Sequence, residues 1–416
     1  MYKPIHIEDE IKQHISIVLK YYRSFQKIKQ SDFILYNNAS VCSADTYSRI
    51  ENGKVIKRNS IYTYLLYQID ATYECFPSFW NNGLPKFQQL VRALTMYHME
   101  DYRNLCEQIK SDLQGSKDFL AREIYSFLDI SLQYFDTREM LKRDMFEKYR
   151  EIYTIFPNPL QEIIKTMLYQ NAFYHQRNIT LCKKIFYEMH MEESTSPFVR
   201  IDQCRQYFFE ERYLDSHAIA LRLEELFIKE KNYQRLLDIY EVLLLLYRKV
   251  QTNDTIRVYL LKFFQLIQEH SENFHPTKQK QGLLIAGIMH YYQNDVEEAY
   301  ACFSHLITLD KAYYLPAALF MNIVVKQGPY EGAQMLEPIK NKESYPSYIV
   351  SFYQYFIDRH QNCTNEYLEN LLVKQVLPYC SPSDMLYWEP LKEELLSLIK
   401  DTKHYYIKKK LMENSD

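Results

Sequence analysis

Residues 287–310 read GIMHYYQNDVEEAYACFSHLITLD, and this stretch decides the fold class. Apolar residues recur three and four positions apart on both sides of Gln293, Asn294 and Asp295, which is the periodicity of an amphipathic helix. A short polar break between two such runs predicts two helices joined by a tight turn. The same periodicity recurs along most of the chain, and no extended alternating stretch predicts a strand. We therefore expect an all-α protein.

The composition agrees with a helical chain and argues against enzyme activity. Glycine occurs only 7 times in 416 residues, while tyrosine occurs 39 times. Phosphate-binding loops, tight hairpins and βαβ crossovers use glycine for positive φ angles, so there is little room for them. A chain that rarely needs positive φ is usually helical. The sequence also lacks H-E-x-x-H, G-x-S-x-G and Walker motifs, so we expect no catalytic residues.

The amino terminus and the cysteines indicate where the protein works. The chain begins MYKPIHIEDE, which is acidic where a signal peptide would be basic, and no apolar stretch follows it. The most apolar run, Val242–Leu246, is far too short to cross a bilayer. The eight cysteines are scattered without a C-x-x-C pair, which is typical of reduced thiols. We expect a cytoplasmic protein with no metal, no cofactor and no membrane partner.

Breaks in the helical periodicity are quasi-regular and predict a repeat. Helical hairpins are expected to begin near residues 86, 118, 158, 197, 232, 276, 312, 346 and 383, at steps of 32 to 44 residues. A period in this range on an all-α background indicates stacked helix pairs.

The unit at 287–310 resembles a tetratricopeptide repeat. Gly287, Ala299 and Phe303 stand at the two small positions and the aromatic position through which that repeat packs its helices. The resemblance implies that residues 77–416, called the body below, form a right-handed superhelix of tetratricopeptide-like helical hairpins.

Other parts of the body match the repeat less well. Leu306 stands where a third alanine is usual, and Lys311 stands where a closing proline is usual. Weaker copies lie at 169–186 and 321–336, and the remaining hairpins match only in length and pattern.

The run VCSADTYSRIENGK at residues 41–54 predicts a capped helix. Ser43 stands as its N-cap, and Gly53 would end it in the left-handed conformation. Tyr47 and Ile50 would fill a small core. Together with the helices predicted around it, this run resembles the helix-turn-helix of phage-type repressors, often called XRE-like. The resemblance implies a small N-terminal bundle that binds double-stranded DNA.

Within the head, residues 1–76, the resemblance places the exposed face of this helix in the major groove. Residues 20–58 carry eight basic and three acidic side chains, a net charge of +5, which suits a nucleic-acid-binding surface. Short polar side chains can reach base edges, and arginine can bind guanine or phosphate. The expected DNA contacts are Gln30, Ser43, Ala44, Asp45, Thr46, Ser48, Arg49, Lys54, Lys57 and Arg58.

Two features of the head depart from a simple match. Gln30, expected to touch a phosphate or to orient the recognition helix, lies three residues farther from Glu51 than is usual. We expect residues 36–41 to lengthen the turn or the second helix. Asp45 is tolerated in a DNA groove only opposite cytosine N4 or when it is tied to Arg49.

The combined layout resembles the Rgg, PlcR, PrgX and NprR group of peptide-sensing regulators and the phage arbitrium receptors. The resemblance implies a short peptide on the concave body surface, clamped by side-chain amides, and a head that binds DNA as a homodimer. The expected peptide contacts are Asn171, Tyr174, Arg200, Gln203, Tyr291 and Asn322. The asparagines can instead be helix caps or solvated residues, and the tyrosines can be ordinary packing.

We therefore expect a cytoplasmic transcriptional regulator whose body binds a signalling peptide that modulates DNA binding. Two alternatives fit the same layout. One is a regulator gated by a protein partner, and the other is a helical-repeat scaffold that binds proteins without touching DNA.

Overall fold

The structure is a computed structural model that describes residues 6–36, 39–74, 77–137, 139–176, 178–250, 252–270, 274, 276–309, 314–325, 345–380, 387–399 and 407. Across these residues the chain forms twenty α-helices and one two-stranded hairpin, so the all-α prediction is confirmed. The chain divides into two compact units, residues 1–223 and 224–416. The predicted boundary after residue 76 lies inside the first unit and stays a prediction.

The first unit begins with one long helix and three short ones and continues mainly with long helices. Its elements are α1 (Asp9–Phe25), α2 (Gln30–Phe33), β1 (Leu35–Tyr36), β2 (Ala39–Ser40), α3 (Ala44–Glu51), α4 (Asn59–Tyr67), α5 (Pro77–Met96), α6 (Met99–Leu113), α7 (Phe119–Thr137), α8 (Arg143–Ile152), a 3₁₀ turn (Tyr153–Ile155), α9 (Asn158–Gln170), a π-turn (Asn171–His175), α10 (Ile179–Glu188), a 3₁₀ turn (Met191–Glu193), α11 (Pro197–Phe209) and α12 (Tyr213–Lys229), which carries the boundary between the units.

The second unit continues the same arrangement of helices joined by short breaks. Its elements are α13 (Tyr233–Lys249), α14 (Asn253–His270), α15 (Pro276–Tyr292), α16 (Val296–Leu309), α17 (Tyr314–Val325), α18 (Ser347–His360), α19 (Asn365–Leu371), a π-turn (Leu372–Val376), a 3₁₀ turn (Leu377–Tyr379) and α20 (Trp388–Leu398).

Most of the predicted hairpin starts coincide with the first residue of a long helix. The starts near 118, 158, 197, 232, 276 and 346 match α7, α9, α11, α13, α15 and α18 within one residue. The start near 86 is wrong, because α5 begins at Pro77 and continues through Pro85. The starts near 312 and 383, and most of the weak copy at 321–336, lie outside the described residues.

Head and body share one hydrophobic core in the first unit. Buried side chains of the head, such as Leu19 on α1 and Ile50 on α3, belong to the same cluster as Phe127 on α7 and Leu168 on α9. Fully burying a side chain of this size contributes about 1.5–3 kcal/mol. The head is therefore packed onto the first body helices rather than joined to them by a free linker.

Alternate helices of the body are enclosed on every side. All side chains of 163–172, which cover most of α9 and the start of the π-turn, and all but Arg200 of 198–208 on α11, are buried. The same is true of 315–324 on α17. A helix with solvent on one face would show exposed positions at 3.6-residue intervals, and these helices show none. Their polar side chains therefore face protein instead of water.

In the second unit, two glycines allow helices to approach closely. A Cβ built on Gly287 would lie 2.7 Å from the ring of Phe303, so α15 packs directly on the aromatic side chain of α16. The predicted contact between a small residue and an aromatic residue is present, and Ala299 is fully buried. Gly282 approaches Phe263 of α14 even more closely, a contact that the sequence analysis missed.

The sequence analysis took the scarcity of glycine to mean that positive φ angles are rare, and this inference is wrong. Ten described residues have positive φ, all of them within three residues after the end of an α-helix. Only Gly53 and Gly115 among them are glycines. The others are Lys27, Asp70, Tyr97, His190, Glu211, Lys231, Asn294 and Asn362. The all-α prediction is confirmed, but of its two arguments only the helical periodicity was sound, and the argument from glycine was not.

His14 on α1 gives the first unit an expected pH dependence. Burial lowers its pKa below the usual 6.5, against an opposing effect of Glu10, and its Nδ1 has no hydrogen-bond partner among the described residues. The unfolded chain then binds the proton more readily, so stability falls as the pH falls through about 6.5. We expect urea unfolding to give a smaller unfolding free energy at pH ~5.5 than at pH ~7.5.

The variant His14→Gln should remove part of that pH dependence, whereas the control His6→Gln, at an exposed position of the same unit, should leave it intact. A His14→Gln protein with the full wild-type pH dependence would contradict the assignment.

Across the described residues, no helix is both long enough and apolar enough to cross a membrane.

Candidate functional site

The start of α3 is capped as the sequence predicted. Ser43 has extended backbone angles, and its Oγ accepts a hydrogen bond of 3.1 Å from the backbone N–H of Thr46. This bond satisfies one of the free N–H groups of the first turn. The cap fixes the first residue of the helix, and with it the direction of the exposed side chains that follow.

The end of α3 is also as predicted. Gly53 has φ +76°, and its N–H donates to the carbonyl of Ile50 at 2.8 Å. The N–H of Lys54 donates to the carbonyl of Arg49 at 2.9 Å, which completes a Schellman motif. A Cβ at Gly53 would meet no atom within 4 Å, so the backbone angle alone, and not a lack of space, favours glycine there.

The inner face of α3 carries a buried ion pair that the sequence analysis missed. Glu51 is 8% exposed, and Arg23 of α1 donates Nε–H and Nη2–H to its two carboxylate oxygens, the second at 3.1 Å. The hydrogen bond to Glu51 raises the pKa of Arg23. Gln30 of α2 donates to the same carboxylate at 2.5 Å. Of the two roles expected for Gln30, the structure shows contact with α3, which orients that helix.

The outer face of α3 and the residues after it form a basic surface. Arg49, Lys54 and Lys57 are exposed and form no ion pair within the described part of the chain. Arg58 is exposed as well, and its Nε donates to Ser60 at 3.1 Å. Asp45 and Arg49 form no ion pair with each other. Of the other expected contacts, Ser43, Ala44 and Asp45 are exposed, and Thr46 and Ser48 are half-buried.

A short hairpin explains the long spacing between Gln30 and Glu51. The second helix, α2, is a single turn, and β1 and β2 pair antiparallel between it and α3. The extra residues therefore lengthen the turn and not the helix. On this hairpin, the ring of Tyr36 packs against Tyr64 at 5.3 Å and Tyr67 at 6.0 Å, which holds the hairpin against α4.

Four of the six expected peptide contacts lie in the interior. Asn171 is fully buried, and its Oδ1 accepts from the N–H of Leu141 at 2.9 Å. Gln203 donates from Nε2 to the backbone carbonyls of Met191 and Ser194, at 2.6 and 3.1 Å. These side chains bond to backbone groups of the segments between helices, so neither offers its amide to solvent.

The other two interior residues belong to the second unit. Asn322 is buried, and its Nδ2 donates to the carbonyl of Ala318, one turn earlier on α17, at 2.8 Å. The hydroxyl of Tyr291 donates to Glu393 at 3.2 Å, and its ring is buried. Tyr174 and Arg200 are the expected contacts that keep part of their surface exposed.

A polar seam between α9 and α11 surrounds Tyr174. Asp202 is fully buried and pairs with Arg205 at 2.9 Å, and Gln170 Nε2 lies 3.5 Å from the same carboxylate. The guanidinium of Arg205 lies 5.7 Å from the centre of the Tyr174 ring. The charged members of the seam are buried and bonded to one another, so Tyr174 is the member that keeps part of its surface exposed. The sequence did offer a clue, since Asp202 and Arg205 are spaced three apart on a largely apolar helix.

A second polar surface lies between α5 and α6. It is an open cavity of about 550 Å³. Three carboxamides line it, together with Arg92 and the exposed pair of His98 and Asp101. Each carboxamide offers a donor and an acceptor, so the surface can bind a polypeptide backbone. The three carboxamides are Gln89, Asn104 and Gln108.

One group in the described residues has the composition of a metal site. His190, Glu192 and Glu193 bring three potential ligand atoms within 4.8 Å of one another at the start of a 3₁₀ turn. His190 and Glu193 are exposed. Exposed acidic groups are common without an ion, and the arrangement supplies no buried partner that would complete a coordination shell.

Comparison with known proteins gave no match of any kind: no family model, no curated protein and no solved structure is significantly similar to this chain.

Proposed function

We propose that this protein is a cytoplasmic DNA-binding transcriptional regulator whose head is a helix-turn-helix and whose body is a tetratricopeptide-like superhelix. The observation that carries the proposal is the charge arrangement on α3. Of the two acidic residues of α3, Glu51 is buried and paired with Arg23, and Asp45 is exposed. Arg49 on the helix and Lys54 and Lys57 just after it are exposed without ion-pair partners among the described residues. A surface on which exposed cations outnumber the exposed acid suits a phosphate backbone.

In the proposed complex, α3 lies in the major groove and the residues at its start contact base edges. Ala44, Thr46 and Ser48 are short enough to reach the bases, and Arg49 reads guanine or binds phosphate. Lys54 and Lys57 follow the helix and contact the backbone, which fixes the register without reading sequence. Two such heads in a homodimer would contact two half-sites one helical turn apart.

The proposed ligand of the body is a short peptide that binds at the seam between α9 and α11. Tyr174 keeps part of its surface exposed there, and the guanidinium of Arg205, paired with Asp202, lies 5.7 Å from the centre of its ring. Arg200, elsewhere on α11, also keeps part of its surface exposed. A peptide would hydrogen-bond to the exposed part of Tyr174, whose ring lies beside the buried pair of Asp202 and Arg205. Asn171 and Gln203 would then support the seam from inside instead of touching the peptide.

A gating protein partner is the second candidate, and the cavity between α5 and α6 favours it. Its carboxamides Gln89, Asn104 and Gln108 are exposed, and the cavity is open enough to admit a loop of another protein. This candidate retains the DNA-binding head and replaces the peptide with a folded partner.

The DNA-binding proposal predicts distinct effects for two exposed cations. In fluorescence anisotropy with DNA from upstream of the gene, Arg49→Ala should weaken specific binding by about 1–3 kcal/mol and relax discrimination against scrambled DNA. Lys57→Ala should weaken binding to both DNAs and lower the salt slope by about 1. Lys229→Ala removes the same charge from an exposed position outside the head and should change neither.

The same assay separates the peptide-gated protein from its alternatives. Synthetic peptides encoded by small open reading frames beside the gene should change the affinity for the upstream DNA. If no peptide changes it, gating belongs to a protein partner. If wild-type protein with an intact helical spectrum prefers no DNA, with or without peptide, the regulator proposal is wrong.

A further inference from the structure

Two neighbouring residues of α1 contact different parts of the protein: one binds α3 in the head, and the other binds the body. Arg23 pairs with Glu51 of α3, as described above. Tyr22, the residue before it, points to the body, where its hydroxyl donates to Glu123 of α7 at 2.6 Å. A single turn of α1 therefore lies between α3 and the body, with a direct polar contact on each side.

The body side of this contact is a buried charge pair. Lys148 of α8 lies 2.7 Å from Glu123, and the two side chains are only 9% and 4% exposed. The ammonium of Lys148 also lies 5.4 Å from the centre of the Tyr22 ring. Separating the two would leave each buried charge without its partner, which is strongly unfavourable, so a displacement of α8 against α7 is resisted. The position of α1 is thereby tied to the position of α8.

A second set of hydrogen bonds fixes the end of the head to the residues at the start of α7. The N–H of Thr72 donates to the carbonyl of Lys117 at 2.8 Å, and the N–H of Phe119 donates to the carbonyl of Thr72 at 2.9 Å. Asp118 also accepts from the N–H of Glu74 at 2.8 Å. The segment that leads out of the head is therefore fixed to the body, and the head cannot swing on it.

The far end of α8 reaches the polar seam. Leu141 lies two residues before α8, and its N–H donates to Oδ1 of Asn171. Asn171 begins the π-turn that also contains Tyr174, and its Nδ2 is buried with no hydrogen-bond partner among the described residues. A π-turn holds one residue more than an α-turn and is frequent at functional sites. A ligand at Tyr174 would therefore act on the residue that holds the start of α8.

We propose that these contacts form a relay through which the polar seam sets the position of α3. The relay consists of Asn171, Leu141, Lys148, Glu123, Tyr22, Arg23 and Glu51. Rearrangement of the π-turn displaces the start of α8, the buried pair passes the displacement to α1, and the ion pair with Glu51 passes it to α3. Helix shifts of about 1–2 Å are a known means of regulation in rigidly packed proteins. The proposal rests on the proposed function in treating α3 as the recognition helix and the polar seam as the ligand site.

Hydrogen exchange measured by mass spectrometry tests the relay without DNA. Asn171→Ala should speed exchange of the amides of residues 44–54 by roughly threefold or more. The double variant Glu123→Leu/Lys148→Met replaces the buried pair with apolar side chains, which commonly preserves folding. In that background, Asn171→Ala should no longer affect residues 44–54. Asn178→Ala removes an asparagine cap on α10 outside the relay and should leave residues 44–54 unchanged.

A milder variant covers the case in which Asn171→Ala does not fold. Glu123→Gln should speed exchange both at residues 44–54 and at Leu141, because coupling between two sites is reciprocal. The relay is wrong if Glu123→Gln alters neither end, or if Asn171→Ala affects residues 44–54 equally in both backgrounds. Because exchange is measured without DNA, either result is independent of whether the protein binds an operator.

Discussion

Replacing Glu51 with alanine should lower the free energy of unfolding of the first unit by about 3 kcal/mol. The change leaves the guanidinium of Arg23 without its partner in a largely buried position, and it removes the acceptor of Gln30. Removing one partner of a buried pair typically costs about 3–5 kcal/mol, and the partial exposure of Arg23 places this case at the lower end. Affinity for DNA should fall as well, although Glu51 itself faces away from the proposed DNA surface.

Urea unfolding followed by circular dichroism measures the first effect, and a double-mutant cycle with Arg23→Ala isolates the pair. The cycle should give a coupling energy of at least about 1 kcal/mol. Glu139→Ala removes a carboxylate from an exposed position in the same unit and should change stability by less than about 0.5 kcal/mol. An equally small effect of Glu51→Ala would mean that the ion pair does not hold α3.

Replacing Gly287 with valine should destabilise the second unit by about 3 kcal/mol, at the upper end for an overpacked core. A Cβ at this position would already lie 2.7 Å from the ring of Phe303 and 3.0 Å from Cβ of Cys302. The ring cannot move away freely, because it is fully buried and stacks on Phe320 with centroids 5.6 Å apart. The two branched methyl groups of valine must therefore separate α15 from α16.

Thermal unfolding measures this loss, and a second substitution distinguishes overpacking from a general intolerance of valine. Gly287→Val combined with Phe303→Val should be more stable than the sum of the two single effects, because the smaller side chain frees the space that the new one needs. Ala301→Val places the same β-branched residue on an exposed position of α16 and should cost less than about 1 kcal/mol. Additive effects in the double variant would contradict the packing argument.

Features fixed by neighbouring residues could be predicted from the sequence. The cap at Ser43, the left-handed Gly53 and the buried Ile50 all depend on the chain within one or two turns of helix, and all three are present. Gly287 and Phe303 are 16 residues apart, but the helical-hairpin pattern already placed them opposite each other. Local propensity and periodicity are sufficient for features of this kind.

Features that join distant parts of the chain could not be predicted. Arg23 and Glu51 are 28 residues apart, and Tyr22 and Glu123 are 101 apart, with no periodic pattern to pair them. Asn171 was placed on an open concave face because the resemblance to a tetratricopeptide repeat assigns that position to the concave surface. In the structure residues 163–172, at the end of α9 and the start of the π-turn, are all buried, so the repeat pattern does not give their exposure. Burial from neighbouring helices decided the environment of that asparagine.

The eight residues other than glycine that adopt positive φ after helices also affect the denatured state. Glycine gains the most conformational freedom when a chain unfolds, so replacing it at a compatible site favours the native state by about 0.4–1 kcal/mol. Where Lys231 or Tyr97 stands in the left-handed region, the native backbone is strained, but the unfolded chain is stiffer than with glycine. With only 7 glycines in 416 residues, this protein has a comparatively stiff denatured ensemble and loses correspondingly less chain entropy on folding.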